Sequence, residues 1–418
     1  MKHRNFIFIF SLLITFSCSD KDNHESAIFE VGFAQEVITP IDTAFIAGHS
    51  HNRIFDGVND DIYVKAAVIS NSQEKLVFLS FDCIGLLHPQ LLEIRALVKE
   101  EQPDFPIQNI MMTSTHTHSG PDVVGLWGKD LLHSGVDSKY MNTLIRKASN
   151  AILSADRKAK SCKAEYAISD HGNEWVYNIS EPEELDRSVT VLRFLNEKSN
   201  VLTLTNFACH PTFLDAVNDK VSSDYVGGYY KKMNESQGGG NMFIQGSIGG
   251  WVQPEHEEKT PAQAFFRGEE LADKVLEILD NSTPVKGNEI NVKTSIFPMP
   301  LENTGFLMLS KAGVISRDFT DSVSTEVAYF EIGNASFATH PGETVPQLSL
   351  RTKELMRNDG PKFIVGLGMD ALGYILKPYF FDEEKEIPHS KYLCSVSVGP
   401  ETQEHIYNEL SKLITENK

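Results

Sequence analysis

Short apolar runs alternate with helical patterns along most of the chain. The runs are rich in Val, Ile, Leu and Phe, which is typical of strands in a sheet buried on both faces; they cover residues 76–81, 110–115, 189–195, 201–208, 243–245, 336–339 and 363–367. Apolar residues at helical spacing predict helices over residues 90–100, 141–153, 261–279 and 346–356, and a proline opens three of these four segments. This alternation predicts an α/β fold in which helices flank a layered, mixed β-sheet core.

Four of the predicted strands end in side chains that can bind a metal or exchange a proton. The residues that follow these strands are His116 and His118, then His210, then His340 and Glu343, and finally Asp370 and Tyr374. Sites in open α/β sheets assemble at the carboxyl ends of strands. We therefore expect the active site at the carboxyl-terminal ends of the strands.

The histidine spacing indicates a metal site. His116 and His118 are two residues apart, so in an extended chain both imidazoles would face the same side. Histidine is the commonest metal ligand, and zinc accepts nitrogen and oxygen donors. Together with His210 and Glu343, this pair predicts a bound Zn²⁺, whereas His340, just before a proline, is expected to have a packing or hydrogen-bonding role.

Composition excludes several classes of function. The formal charge is −19, from 57 acidic and 38 basic residues, and no basic stripe is present, so we predict no nucleic-acid partner. The sequence has no Cys-x-x-Cys pair, no dinucleotide-binding glycine loop and no Gly-x-Ser-x-Gly nucleophile motif. His49 and His51 lie in a glycine-flanked loop, which either borders a pocket or is solvated.

The first residues predict export. Lys2 and Arg4 precede an apolar run over residues 6–14, which is too short to span a bilayer and is typical of a signal peptide, residues 1–17. The segment that ends at Cys18 resembles a bacterial lipobox, although ordinary signal cleavage nearby is the alternative. We predict a lipidated tether over residues 18–28, a catalytic domain over residues 29–418, and an envelope lipoprotein held by Cys18 at the outer membrane or cell surface.

Several motifs resemble one known family. Residues 115–121, Thr-His-Thr-His-Ser-Gly-Pro, resemble the most specific motif of the neutral/alkaline non-lysosomal ceramidases, in their N-terminal catalytic domain. Weaker matches are found at residues 31–34, 37–40, 206–212, 222–224, 341–343 and 373–374. The resemblance spans about residues 29–410.

The resemblance implies a zinc amidohydrolase that cleaves N-acyl sphingosine into a fatty acid and a sphingoid base. It implies that the metal ligands are His116, His210, Glu343 and Tyr374. His118 would be the acid/base group, and Tyr374 could instead donate a hydrogen bond to the oxyanion. Asp224 belongs to a Ser-Ser-Asp motif that the family shares, and it is a candidate loop residue of the site.

Two positions depart from the family pattern. Gln253 stands where the family has a proposed nucleophilic serine, and Ser247 is the nearest substitute. Ile179 stands where the family has an arginine at the mouth of the site. Glutamine cannot act as a nucleophile, so we expect metal-activated water to attack the substrate directly.

We therefore expect a secreted, zinc-dependent hydrolase of a ceramide-like N-acyl amide bond, acting on a small-molecule or lipid substrate. One alternative is a zinc esterase or deacylase that acts on a carbohydrate-linked or other lipid substrate. Another is a surface-binding lipoprotein that has the same fold without turnover, although a purely structural scaffold does not need five converging polar side chains.

Overall fold

The computed structural model describes residues 28–197, 199–255 and 258–415. The predicted signal peptide and Cys18 lie outside this range. The strands of the described part are β1 Ile28–Val37, β2 Tyr63–Ser70, β3 Lys75–Phe81, β4 Ile110–Ser114, β5 Lys160–Asp170, β6 Val176–Asn178, β7 Ser188–Asn196, β8 Ser199–Phe207, β9 Gly240–Gln245, β10 Val252–Pro254, β11 Thr283–Pro284, β12 Ile290–Pro300, β13 Ser322–Ile332, β14 Ala335–His340, β15 Glu343–Thr344, β16 Lys362–Gly366 and β17 Tyr374–Ile375. The helices are α1 His88–Glu101, α2 Ser138–Arg157, α3 Tyr225–Gln237, α4 Pro261–Leu279, α5 Thr304–Lys311, α6 Pro346–Leu355, α7 Ser390–Ser395 and α8 Thr402–Thr415, with 3₁₀ turns at Ile107–Asn109 and Pro378–Phe381.

The larger sheet has the strand order β4-β3-β2-β1-β5-β7-β8-β9, and β11 pairs with β5. Most neighbours are antiparallel, but β3 and β4 are parallel, as are β8 and β9. The sheet curls on itself: Lys65 on β2 donates a hydrogen bond to the Asn241 carbonyl on β9, and Ser80 on β3 donates one to the Phe243 carbonyl. Both ends of the sheet are thereby brought close together.

A second sheet, ordered β12-β13-β14-β16, packs against the open side of the first. Its strands β14 and β16 are parallel. Asn206 on β8 donates to the Ile364 carbonyl on β16, and Thr113 on β4 donates to the Gly366 carbonyl. The carboxyl ends of β4, β8 and β16 consequently lie beside one another.

Helix packing follows the apolar patterns in the sequence. Asp137 caps helix α2, because its carboxylate accepts hydrogen bonds from the Lys139 and Tyr140 amides, and the helix lies against β1 and β2. Helix α4 begins after Thr260 and packs against α3. The predicted α/β fold is confirmed, and each predicted strand and helix is present within a few residues of its predicted bounds.

Across the described residues, no helix combines the length and apolar character needed to cross a bilayer.

Candidate active site

Short connections at the carboxyl ends of four strands bring the candidate residues together. His116 follows β4, His210 follows β8, Glu343 follows β14, and Tyr374 lies beyond β16. Glu343 and Tyr374 are paired directly, because β15 and β17 form a two-residue parallel bridge. The structure thus brings together side chains that are far apart in the sequence. They meet at the carboxyl ends of the strands, where the sequence predicted them.

The histidines form a compact cluster with Glu343. The possible ligand atoms of His116, His118 and His210 all lie within 4.8 Å of one another. Glu343 Oε2 is 3.0 Å from His210 Nε2 and 3.4 Å from His116 Nε2. All four residues are buried or nearly so, which removes most of the competing water.

Backbone carbonyls orient two of these imidazoles. His116 Nδ1 lies 2.5 Å from the Ile84 carbonyl oxygen, and His210 Nδ1 lies 2.7 Å from the Val252 carbonyl oxygen. Because a carbonyl only accepts, each Nδ1 carries a hydrogen, and the Nε2 atom of each ring faces Glu343. An imidazole nitrogen and a carboxylate oxygen this close need positive charge between them, which either a proton on Nε2 or a bound cation supplies, so these residues fit a divalent cation.

The charge of Glu343 fits this arrangement. Burial by itself would raise the pKa of this carboxyl group, but His116 and His210 outweigh burial and lower the pKa to about 2. Glu343 is therefore ionised at neutral pH and available as an anionic ligand.

The expected extended conformation of the His116–His118 segment is wrong. His116 has φ 71°, in the left-handed region, so the chain turns instead of continuing β4. The His116 amide donates to the Cys83 carbonyl at 2.9 Å, which holds this turn. The two imidazoles still converge, with ring centroids 4.9 Å apart, because the turn replaces the strand alternation that the sequence suggested.

His118 differs from its neighbours, because neither ring nitrogen has a hydrogen-bond partner within the described part of the chain. Burial, followed by the nearby charges of His116 and His49, lowers its pKa well below the usual value. His118 is therefore neutral at pH 7, with one nitrogen able to donate a hydrogen and one able to accept.

His49 also reaches the site. Its ring centroid is 5.0 Å from that of His118, and Nδ1 is 3.9 Å from Asp215 Oδ1. The sequence left open whether this loop borders a pocket, and the structure places His49 against His118. No sequence motif predicts the contact between His49 and His118, because it depends on how the loop folds back across the end of the sheet.

Tyr374 is buried beside Glu343. Its hydroxyl oxygen accepts a hydrogen bond of 2.7 Å from Trp251 Nε1. Burial, followed by the charge of Glu343, raises the pKa of Tyr374 well above its usual value. The hydroxyl is therefore protonated at neutral pH when no cation is close to it. Trp251 carries no motif of its own, and its contact with Tyr374 arises only in the folded chain.

An apolar cavity opens from this polar end. His116, His118, Glu343 and Tyr374 line one end of it. Much of the rest is formed by apolar side chains from the turn after β3, the segment before α2, helix α5 and the loop after it, and the chain after β16: Ile84, Leu87, Val124, Leu126, Trp127, Phe306, Ile315, Phe319, Leu372, Val396 and Val398. A cavity of this kind suits a molecule with one polar reacting group and an apolar body.

The two nucleophile candidates lie outside this cavity lining. Ser247 is buried, and its hydroxyl lies 2.9 Å from that of Thr344. Gln253 donates to the Tyr177 hydroxyl at 3.2 Å on the short β6–β10 ribbon. Within the described residues, no serine, threonine or cysteine lines the cavity.

Asp224 and His340 support the surrounding structure. The Asp224 carboxylate accepts hydrogen bonds from the amides of Phe213, Leu214 and Tyr225, which ties the loop after His210 to the start of α3. The His340 ring nitrogens lie 2.9 and 3.2 Å from threonine hydroxyls, which is a hydrogen-bonding role. Neither residue lines the cavity.

Comparison with known proteins shows the family and similar folds. The sequence model for the N-terminal part of the neutral/alkaline non-lysosomal ceramidases matches residues 29–265. The fold is similar to neutral ceramidase from Pseudomonas aeruginosa, at 16% identity and a TM-score of 0.78, over 93% of this chain and 74% of that one. It is also similar to a ceramidase complexed with C2, at 15% identity and a TM-score of 0.79, over 93% and 75% of the two chains. Among curated proteins, none matches the sequence. Since the family model covers more than half of its residues, the chain belongs to the neutral/alkaline non-lysosomal ceramidase family.

Proposed function

We propose that this protein is a zinc-dependent hydrolase that cleaves the N-acyl amide bond of a ceramide-like lipid. The observation that carries the proposal is the cavity, which has His116, His118, Glu343 and Tyr374 at one end and apolar side chains along its length. An amide group fits the polar end, and hydrocarbon chains fit the apolar walls. Family membership supports the same reaction class.

His116, His210 and Glu343 would hold the zinc ion, and Tyr374 would be either the fourth ligand or a hydrogen-bond donor to the oxyanion. When bound, zinc supplies Lewis-acid polarisation of the carbonyl and a low pKa for a coordinated water. The two histidines are held for this by their Nδ1 hydrogen bonds to backbone carbonyls, which fix the tautomer and the ring orientation.

His118 would move the protons of the reaction. As a neutral imidazole without other partners, it can accept a proton from the attacking water and then return that proton to the leaving amine. Its burial keeps bulk water from competing for either nitrogen. Amide cleavage needs this second transfer, because an unprotonated amine is a poor leaving group.

Water is the proposed nucleophile. Within the described residues, the cavity lining has no hydroxyl or thiol side chain other than the tyrosines, and the Ser247 hydroxyl is paired with Thr344. A covalent acyl-enzyme on serine would require Ser247 to leave this contact and enter the cavity. Direct attack by water requires no such rearrangement.

The test combines metal analysis with substrate hydrolysis. We expect one zinc ion per chain, hydrolysis of N-acyl amide lipids with ceramide itself a poor substrate because Ile179 replaces the family's arginine, and loss of activity on chelation that added zinc restores. Matched O-acyl lipids of equal chain length separate amide from ester specificity. Full activity after complete removal of metal, or hydrolysis of the esters alone, would contradict the proposal.

A further inference from the structure

We propose that Trp251 is a positioning residue, which fixes the direction of the Tyr374 hydroxyl through its indole N–H. The Trp251 Nε1 to Tyr374 Oη distance is 2.7 Å, at the short end of the range for a good N–H···O hydrogen bond. This inference rests on the proposed function, because it assigns a role to Tyr374 in the same site.

The chemistry of the two groups sets the direction of this hydrogen bond. An indole N–H can only donate, so the Tyr374 oxygen must accept. A phenol has a single hydrogen, which therefore points away from Trp251. Glu343 is the acceptor for that hydrogen, since, besides burial, its charge and hydrogen bonding raise the pKa of Tyr374. In the free protein, the Tyr374 hydrogen is thus directed towards Glu343, at the polar end of the cavity.

Neighbouring groups hold Trp251 in place. Its backbone has φ 62°, an uncommon conformation for a residue with a Cβ atom, and its carbonyl accepts a hydrogen bond from the Ile179 amide at 3.2 Å. The ring lies against His389, with centroids 4.4 Å apart, and near Tyr392 at 5.6 Å. The side chain therefore has little freedom to leave Tyr374.

The same segment also orients a histidine. The residue after Trp251 is Val252, whose carbonyl accepts the Nδ1 hydrogen of His210. Residues 251 and 252 therefore fix two neighbours of Glu343, one through a side chain and one through the backbone.

Accepting a hydrogen bond also makes a hydroxyl a stronger donor, because the two hydrogen bonds polarise each other. Where Glu343 binds the metal and Tyr374 acts as a donor instead of a ligand, the Tyr374 hydrogen would be available to the carbonyl oxygen as negative charge develops on it. Trp251 would act on this step only through Tyr374, without touching the substrate.

The experiment is a double-mutant cycle with Trp251→Phe and Tyr374→Phe. Trp251→Phe keeps an aromatic ring against His389 and removes the donor. We expect kcat to fall about 10- to 100-fold, the range for loss of a group that orients an active-site residue, with KM changed less than about twofold. In the Tyr374→Phe background, Trp251→Phe should cost less than about twofold in kcat, because its target is gone. Equal losses in both backgrounds would overturn the inference.

Two controls distinguish a kcat loss caused by the missing hydrogen bond from one caused by altered packing. Trp175→Phe makes the same change at a buried tryptophan outside the cavity, and it should leave kcat within about twofold. Replacing Trp251 with benzothienylalanine keeps the two-ring shape and removes only the N–H. It should reproduce the kcat loss of Trp251→Phe, and wild-type kcat in this variant would also overturn the inference.

A measurement that does not depend on catalysis tests the hydrogen bond separately from the proposed function. The chain has three tryptophans, so Trp251→Phe identifies one of three indole N–H signals in a nitrogen-15 NMR spectrum. Tyr374→Phe should move that signal upfield in the metal-free protein, and an unmoved signal would overturn the inference. If wild-type protein hydrolysed no acyl lipid, the proposed function would fail, while this shift would still decide the hydrogen bond.

Discussion

At the scale of single residues, His116 should decide whether zinc binds. Its Nε2 atom faces Glu343, so His116→Ala removes one of the ligands that a cation needs. We expect the variant to lose most of its zinc after dialysis, measured by elemental analysis. His133→Ala is the matched control, since His133 is exposed and pairs with Asp130 away from the cavity. Equal zinc in both variants would contradict the assigned ligand set.

His118→Ala should separate acid/base chemistry from metal binding. We expect zinc content close to that of the wild type and a loss of about 10²–10⁴ in kcat, the range for removal of an acid/base group. The geometry makes this a sharp test, because the possible ligand atom of His118 lies within 4.8 Å of those of His116 and His210. Loss of zinc in this variant would make His118 a ligand instead.

Ser247→Ala should have a small effect. The Ser247 hydroxyl is buried against Thr344 and does not line the cavity, so we expect the rate to change by less than about tenfold, or ~1.4 kcal/mol of barrier. Rapid-quench mass spectrometry at short reaction times tests for an acyl-enzyme. A covalent adduct on Ser247, or complete loss of activity with zinc retained, would rule out direct attack by water.

At the scale of elements, Asp224 links the loop after His210 to helix α3. Asp224→Ala would leave the buried amides of Phe213 and Leu214 without this acceptor and would remove the helix cap. We expect the free energy of unfolding to fall by about 2–4 kcal/mol, measured with urea. Asp224→Asn keeps one accepting oxygen and should lose less. Wild-type stability in Asp224→Ala would show that the loop has other support.

The strands and helices were predictable because each has a strong periodic pattern. The polar residues at the strand ends were predictable for the same reason, since a buried strand must stop where polar side chains begin. The two-residue pairing of Glu343 with Tyr374 was not predictable, because so short a bridge has no periodic pattern of apolar residues. The left-handed turn at His116 and the contacts of His49 and Trp251 depend on tertiary packing, which periodicity does not encode.

At the scale of the whole molecule, we propose that lipid on Cys18 attaches the protein to a membrane. The net charge of −19 makes electrostatic binding to anionic lipids unfavourable, so attachment must come from acyl chains, each buried CH₂ contributing about 0.8 kcal/mol. Cys18→Ser removes the sulfur that would carry the lipid, and we expect the variant in the soluble fraction after cell lysis and ultracentrifugation. Cys394→Ser is the matched control, since this partly buried cysteine lies in the folded domain and should leave the protein with the membranes. Membrane retention of Cys18→Ser would contradict the lipobox prediction, because no acyl chain could then hold the protein there.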